Sequence, residues 1–220
     1  ATPTPHPTLQ TVLGENRGEL ERYGYDLWTY QGQVGEVLSV KMEADAPISE
    51  FIPEEERFEA GVLDPYLAVI APDGRLLSQT DEAPGKEGWL TGDAFIEALY
   101  LPMDGEYQIE AQSYLDDNSG GYTLTIESWR PDLDPALLQS YVGDYIIPTW
   151  PAEVSIIYEE GQLKFFWSPD VQPLSPINET EFRLQPWSLP FIFRKDEAGR
   201  VTGFDLWHFG GWFEGERTEK

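Results

Sequence analysis

Apolar residues that recur at every second position, in runs no longer than a strand and cut by turn chemistry, restrict this chain to β-structure. Between Leu20 and Glu127 five such sets follow one another: Tyr25, Leu27 and Thr29; Leu38, Val40 and Met42; Leu67, Val69 and Ala71; Tyr107, Ile109 and Ala111; and Tyr122, Leu124 and Ile126. A period of two places one set of side chains on one face of a strand. The links are Gln31-Gly32 with Gly35, Pro72-Asp73-Gly74, Met103-Asp104-Gly105 and the stretch from Asp116 to Gly121, all residues that favour turns. No segment reads as a long amphipathic helix, and the spacing is that of an antiparallel sandwich, jelly-roll-like.

Trp129-Arg130-Pro131-Asp132-Leu133-Asp134-Pro135 interrupts the pattern, because each proline removes a ladder donor. A domain boundary is expected there, with a linker at 129–132. Leu137, Leu138 and Tyr141 then fall at helical spacing behind Asp134 and Pro135, which predicts one short helix capped by Asp134. Beyond Gly143 come further runs: Val154 with Ile156 and Tyr158, Leu163 to Trp167, Phe182 to Leu184, Phe191 to Phe193, and Val201 to Phe209. Turns at Glu160-Gly161 and Ala198-Gly199 imply hairpins. The second half therefore reads as a small meander, curved into a barrel-like core around its aromatics.

The chain carries 14 Lys and Arg against 40 Asp and Glu, a net charge of −26. Such a surface repels phosphate backbones and anionic lipid, so nucleic acid is excluded as a partner and divalent cations are the natural counterions. Residues 1–131 hold 25 acids and 7 bases, a net of −18, and residues 132–220 hold 15 acids and 7 bases, a net of −8. There is no cysteine, hence no disulfide and no thiol chemistry. No apolar run reaches the ~18 residues of a membrane-spanning helix. The opening tract, Ala1 to Thr8, alternates Thr and Pro with one His and is expected to be extended and unpacked, the kind of spacer that follows a removed signal peptide or a lipid anchor.

The aspartates have an order of their own. A strand from Asp64 to the Pro72-Asp73-Gly74 turn, returning from Arg75 to Thr80, puts Asp64 and Asp81 at one end of a hairpin. The following loop holds Glu82 and delivers Asp93 to the same end. Two readings stay open: the acids cap turns and point separately into water, or Asp64, Asp81, Glu82 and Asp93 converge as ligands for calcium, a hard cation that takes six to eight oxygens. The stretch from Asp116 to Glu127 superficially matches a calcium loop, but its flanks are strands and Gly120 stands where an oxygen ligand is required, so a plain hairpin turn is expected.

With these residues in view, residues 9–128 resemble the bacterial pre-peptidase C-terminal domain. The resemblance rests on Tyr25-Asp26-Leu27-Trp28 followed by Gly35 to Val40, then Asp64-Pro65-Tyr66-Leu67, Asp73-Gly74, Asp81, Asp93-Ala94, Gly105-Glu106-Tyr107 and Gly121-Tyr122-Thr123-Leu124. It implies a β-sandwich, secretion, an accessory role and, in some members, calcium. One departure is the acidic insertion between Glu43 and Val62, with Glu54-Glu55-Glu56. Its Ile48, Phe51, Ile52 and Phe58 are expected to cover a sheet edge.

Residues 133–220 resemble the lipocalin-like domain at the C-terminus of serine hydrolases of the β-lactamase type. Leu138 to Tyr145, Val154-Ser155-Ile156, Gly161-Gln162-Leu163, Phe182-Arg183-Leu184, Phe191-Ile192-Phe193 and Gly199 to Phe204 carry it. The resemblance implies a non-catalytic appended domain. The chain has no Ser-x-x-Lys and no Gly-x-Ser-x-Gly, and its two histidines, His6 and His208, belong to the opening tract and to a strand, so no nucleophile–base set is legible. Trp150, Trp167, Trp187, Trp207 and Trp212 either fill the core or stack on a ligand. In the run from Trp207 to Phe213 the residues of a strand face both ways, so some rings must be exposed. Trp207, Phe209 and Trp212 are the expected ligand-binding set.

The sequence thus describes an all-β, secreted or envelope-attached bacterial protein. Its expected role is a non-catalytic binding or accessory one toward an extracellular protein or polysaccharide, with calcium in the first domain. A structural or tethering unit for an envelope hydrolase, and a hydrolase of carboxylate type, are the alternatives.

Overall fold

The computed structural model describes residues 4–5, 8–45, 63–81, 93–114, 118–149, 152–208 and 210–218. The insertion with Ile48, Phe51, Ile52, Glu54 to Glu56 and Phe58 lies outside the described residues, as do Glu82, Asp116, Trp150 and Phe209. The chain divides into two compact units, Ala1–Glu97 with Leu101–Trp129, and Arg130–Lys220 with Ala98–Tyr100.

Among the described residues ten strands precede Arg130: β1 (Thr4–Pro5), β2 (Leu9–Gln10), β3 (Gly14–Leu20), β4 (Gly24–Gly32), β5 (Val37–Ala44), β6 (Pro65–Ile70), β7 (Leu76–Thr80), β8 (Ala94–Tyr100), β9 (Gly105–Ser113) and β10 (Gly120–Trp129). One sheet has the order β1-β4-β9-β6-β7 with β2 also on β4, and the other the order β3-β10-β5-β8. The alternating sets dictate the core: Leu38, Val40, Met42, Leu67, Val69, Tyr107, Ile109, Ala111, Tyr122, Leu124 and Ile126 are all fully buried. Within the opening tract the described residues Thr4–Pro5 are paired rather than unpacked: β1, like β2 just beyond the tract, runs parallel to β4, and Pro5, lacking an N–H, is tolerated on such an edge.

In β4 the buried phase is Asp26 and Trp28 rather than Tyr25 and Leu27. Asp26 is only 3% exposed; its Oδ2 accepts from the Tyr122 hydroxyl at 2.6 Å, and the Tyr122 hydroxyl in turn accepts from Trp28 Nε1 at 2.8 Å. The network joins the two sheets across their packed faces. Burial is the main reason the Tyr122 hydroxyl is held far above its ordinary pKa. Gly18 stands opposite Tyr122 in the β3–β10 pair, and any side chain there would collide with the Tyr122 ring.

The second unit opens with α1 (Pro135–Tyr141), capped by Asp134, whose Oδ1 accepts from Ala136 N at 2.8 Å. Eight strands follow: β11 (Gly143–Ile147), β12 (Ala152–Glu159), β13 (Gln162–Trp167), β14 (Asp170–Pro176), β15 (Glu181–Leu184), β16 (Leu189–Lys195), β17 (Val201–His208) and β18 (Gly211–Arg217). They form a closed antiparallel barrel in chain order, shut by β11 against β18. Its interior is a packed aromatic core. Phe191 stacks on Phe204 at 4.5 Å, Phe165 meets both edge-on, and Tyr141 from the helix stacks on Phe193 at 4.0 Å. Among the described residues the fold is all-β with one short helix, as the periodicity implies.

Candidate functional site

The expected metal ligands fall on two sheets. Leu67 pairs with Thr80, so Asp64, just before β6, and Asp81, just after β7, share one end of that hairpin. Asp81 is close enough to help raise the pKa of the Tyr66 hydroxyl, behind burial and Glu110. Asp93 precedes β8 in the other sheet. Its carboxylate lies 3.8 Å from Lys41 Nζ, which also bonds Glu43 Oε1 at 2.6 Å. Burial raises the Asp93 carboxyl, and Lys41 opposes that rise. Among the described residues no group of three or more His, Asp or Glu side chains could hold a metal ion; Glu82 lies outside them.

The barrel separates its two ends by chemistry. In an antiparallel meander alternate turns share an end, so the β11–β12, β13–β14, β15–β16 and β17–β18 turns lie together. The helix is at the other end: the Tyr141 hydroxyl donates to Glu179 O in the β14–β15 turn at 2.6 Å. Four tryptophans therefore gather at the end without the helix: Trp167 closes β13, Trp187 sits in the β15–β16 turn, Trp207 nearly ends β17 and Trp212 nearly begins β18. Trp187 and Trp212 are each about half exposed, at 50% and 51%. The described segments that build this end, 147–149, 152–154, 166–171, 184–190, 205–208 and 210–212, contain no Lys or Arg.

Trp207 and Trp212 are cross-strand partners, with ring centroids 5.4 Å apart and an interplanar angle of 67°. The turn between them ends in Gly210 at φ 73°, where a side chain would be strained although space is open. Two residues along each strand, on the same outward face, Asp205 pairs with Glu214. Arg194 of β16 spans both: Nη1 donates to Glu214 Oε2 at 3.1 Å, and Nε lies 3.4 Å from Asp205 Oδ1. Its Nη2 donates to Gly215 O at 3.0 Å. The guanidinium can lie across the sheet because its partner residue is Gly203, where a Cβ would collide with Gly215 O and sit 2.8 Å from Arg194 Nη2. Burial raises the Asp205 carboxyl, with Arg194 pulling it down.

Of the expected ligand set, Trp207 and Trp212 do come together, and Phe209 is outside the described residues. Asp205, Glu214 and Arg194 were not singled out from the sequence. The signal was present in outline: on adjacent strands, residues two positions from each Trp share its face. Arg194 had no such signal, since its reach depends on the missing side chain of Gly203.

No family model matches the chain, and no curated protein matches it. Among solved structures it is similar to PliG of Aeromonas hydrophila, a periplasmic lysozyme inhibitor of g-type lysozyme, at 12% identity and a TM-score of 0.38, covering 56% of this chain and 96% of that one. PliG of Salmonella Typhimurium gives 13%, 0.37, 56% and 100%. The pre-peptidase C-terminal domain of collagenase from Bacillus anthracis gives 12%, 0.39, 56% and 98%. At these TM-scores any function has to come from the chain's own residues.

Proposed function

We propose that this chain is a non-catalytic binding protein of the bacterial cell envelope, and that the outer face of β16–β18 around Trp207 and Trp212 is its contact face. The observation that carries the reading is the tryptophan pair on a closed, aromatic-packed barrel, with Trp212 51% exposed and Trp207 half-buried beside it. A ring half open to water forgoes burial worth about 1.5–3 kcal/mol, and a binding partner recovers it. The barrel interior is filled by its own rings, so the support points to the outside of the barrel. The resemblance of residues 9–128 to a secreted accessory domain supports the location, and no helix among the described residues is long and apolar enough to cross a membrane.

Cosedimentation with isolated bacterial envelopes tests the reading. The protein pellets with the envelopes, and Trp212→Ala weakens binding about 30-fold, the scale of a central tryptophan contact. Equal pelleting of both proteins would remove the assignment of this face; failure of the unmodified protein to pellet would remove the reading itself.

A further inference from the structure

We propose that the outer face of β16–β18 is a subsite for neutral polysaccharide, in which the Trp207–Trp212 pair stacks on a sugar ring and the Arg194-bridged carboxylates of Asp205 and Glu214 accept its hydroxyls or those of the next unit. The inference rests on the reading of this face as the contact surface, and it names the ligand class.

The chemistry of the two rows is complementary to one kind of molecule. A pyranose presents C–H groups on its faces and O–H donors around its rim. Tryptophan offers a broad apolar face, and ionised carboxylates are acceptor-only groups with several lone-pair sites. Here both stand on one rigid sheet, two residues apart along each strand, a step of about 7 Å. That separation lets one bound chain touch both rows. Arg194, reaching across from β16, contacts both carboxylates, so less side-chain freedom is lost on binding.

Charge selects against the obvious competitors. Arg194 is already engaged by two acids, Asp205 and Glu214, and Glu216 adds a further carboxylate on the same outward row as Gly203. An anionic polymer, whether uronate, phosphate or nucleic acid, meets net negative charge and finds no Lys or Arg at the tryptophan end. A protein partner fits less well. The core of a protein interface is depleted in charged residues over roughly 800 Å² per partner. Among the described residues of this barrel the exposed large apolar ones other than Trp212 are Ile146, Val171 and Trp187, none of them on β16–β18, whereas carboxylates form the next row beside the tryptophan pair.

Affinity electrophoresis and tryptophan fluorescence with laminarin, hydroxyethylcellulose and galactomannan as neutral probes, and polygalacturonate as the anionic one, test this. At least one neutral polymer retards the protein and perturbs its emission, while polygalacturonate does neither. Trp212→Ala then raises Kd tenfold or more, Asp205→Asn with Glu214→Gln raises it at least fivefold, and Ile146→Ser on β11 leaves it unchanged. Far-UV circular dichroism and melting curves confirm that each variant is folded. The proposal is overturned if none of the neutral polymers binds, if polygalacturonate binds as well as they do, or if Trp212→Ala binds like the unmodified protein. Should no glycan bind while envelope pelleting still depends on Trp212, the ligand class fails and the contact face stands. Should pelleting fail too, both fall.

Discussion

His208 pairs with Gly211 to close the hairpin that presents the two tryptophans, and burial pushes its imidazole below the ordinary value of 6.5. The charged form is disfavoured in the fold, so the unfolded chain binds more protons below that value. The stability that His208 contributes is therefore complete above 6.5 and is lost as pH falls through the window below it. Asp93, Glu110 and Asp205, each raised by burial, have the opposite sign: their contribution is present at low pH and is lost as pH rises through their folded values. The comparison of wild type with His208→Asn separates the two. The drop in melting temperature between pH 7.5 and pH 5.5 is smaller in His208→Asn, and identical drops would refute the assignment. Single residues also show where sequence reading stops. Alternation located the buried sets in β5, β6, β9 and β10, but in β4 the buried phase contains Asp26. A carboxylate reads as surface until the Tyr122 hydroxyl and the Trp28 indole, one of them on the opposite sheet, are seen to accompany it. Gly215 is similar, being glycine because the Phe204 ring occupies the space a side chain would need.

At the scale of elements, the seven-residue helix α1 is too short to persist alone, and its hold comes from both ends. Asp134 caps the start, a feature legible in the sequence. The far end is held by a strand 75 residues on: Arg217 donates from Nη1 to Ser140 O at 2.8 Å and from Nη2 to Val142 O at 2.6 Å. Its guanidinium lies 5.9 Å from the Tyr145 ring, whose hydroxyl burial pushes up to about 12. Charged hydrogen bonds are worth about 1.5–3 kcal/mol each when well placed, and this pair is partly wet. Arg217→Ala accordingly lowers unfolding free energy by about 2–3 kcal/mol in urea titration, and Arg217→Lys restores only part, since an ammonium cannot fork to two carbonyls. Full recovery by lysine would show a generic charge effect. Three barrel strands, β11, β14 and β18, escaped the pattern, the last two for local reasons. Pro173 and Pro176 mask β14, because proline inside a run argues against a strand, and Gly211, Gly215 and two glutamates thin the apolar signal of β18. Closure of β11 on β18 joins distant segments, and no local periodicity encodes it.

For the whole molecule, charge is the dominant global term. A net of −26 strains any compact state by self-repulsion, and the screening length falls from about 30 Å at 0.01 M salt to about 8 Å at 0.15 M. Raising NaCl across that range at pH 7 raises the melting temperature by about 2–4 °C, the equivalent of roughly 1 kcal/mol for a chain of this size; a flat response would mean that the acids are too dispersed to interact. Composition made the sign of this effect legible, whereas the sorting of the barrel into a helix-bearing end and a tryptophan-bearing end follows only from strand order. That sorting also settles how the second unit can be handled. β18 starts at the tryptophan end and finishes beside the helix, so a dye, tag or surface linker joined after Arg217 leaves from the far side of the barrel. Immobilisation through that point would present Trp207 and Trp212 outward, whereas a label placed in the Gly210 turn would sit on top of them.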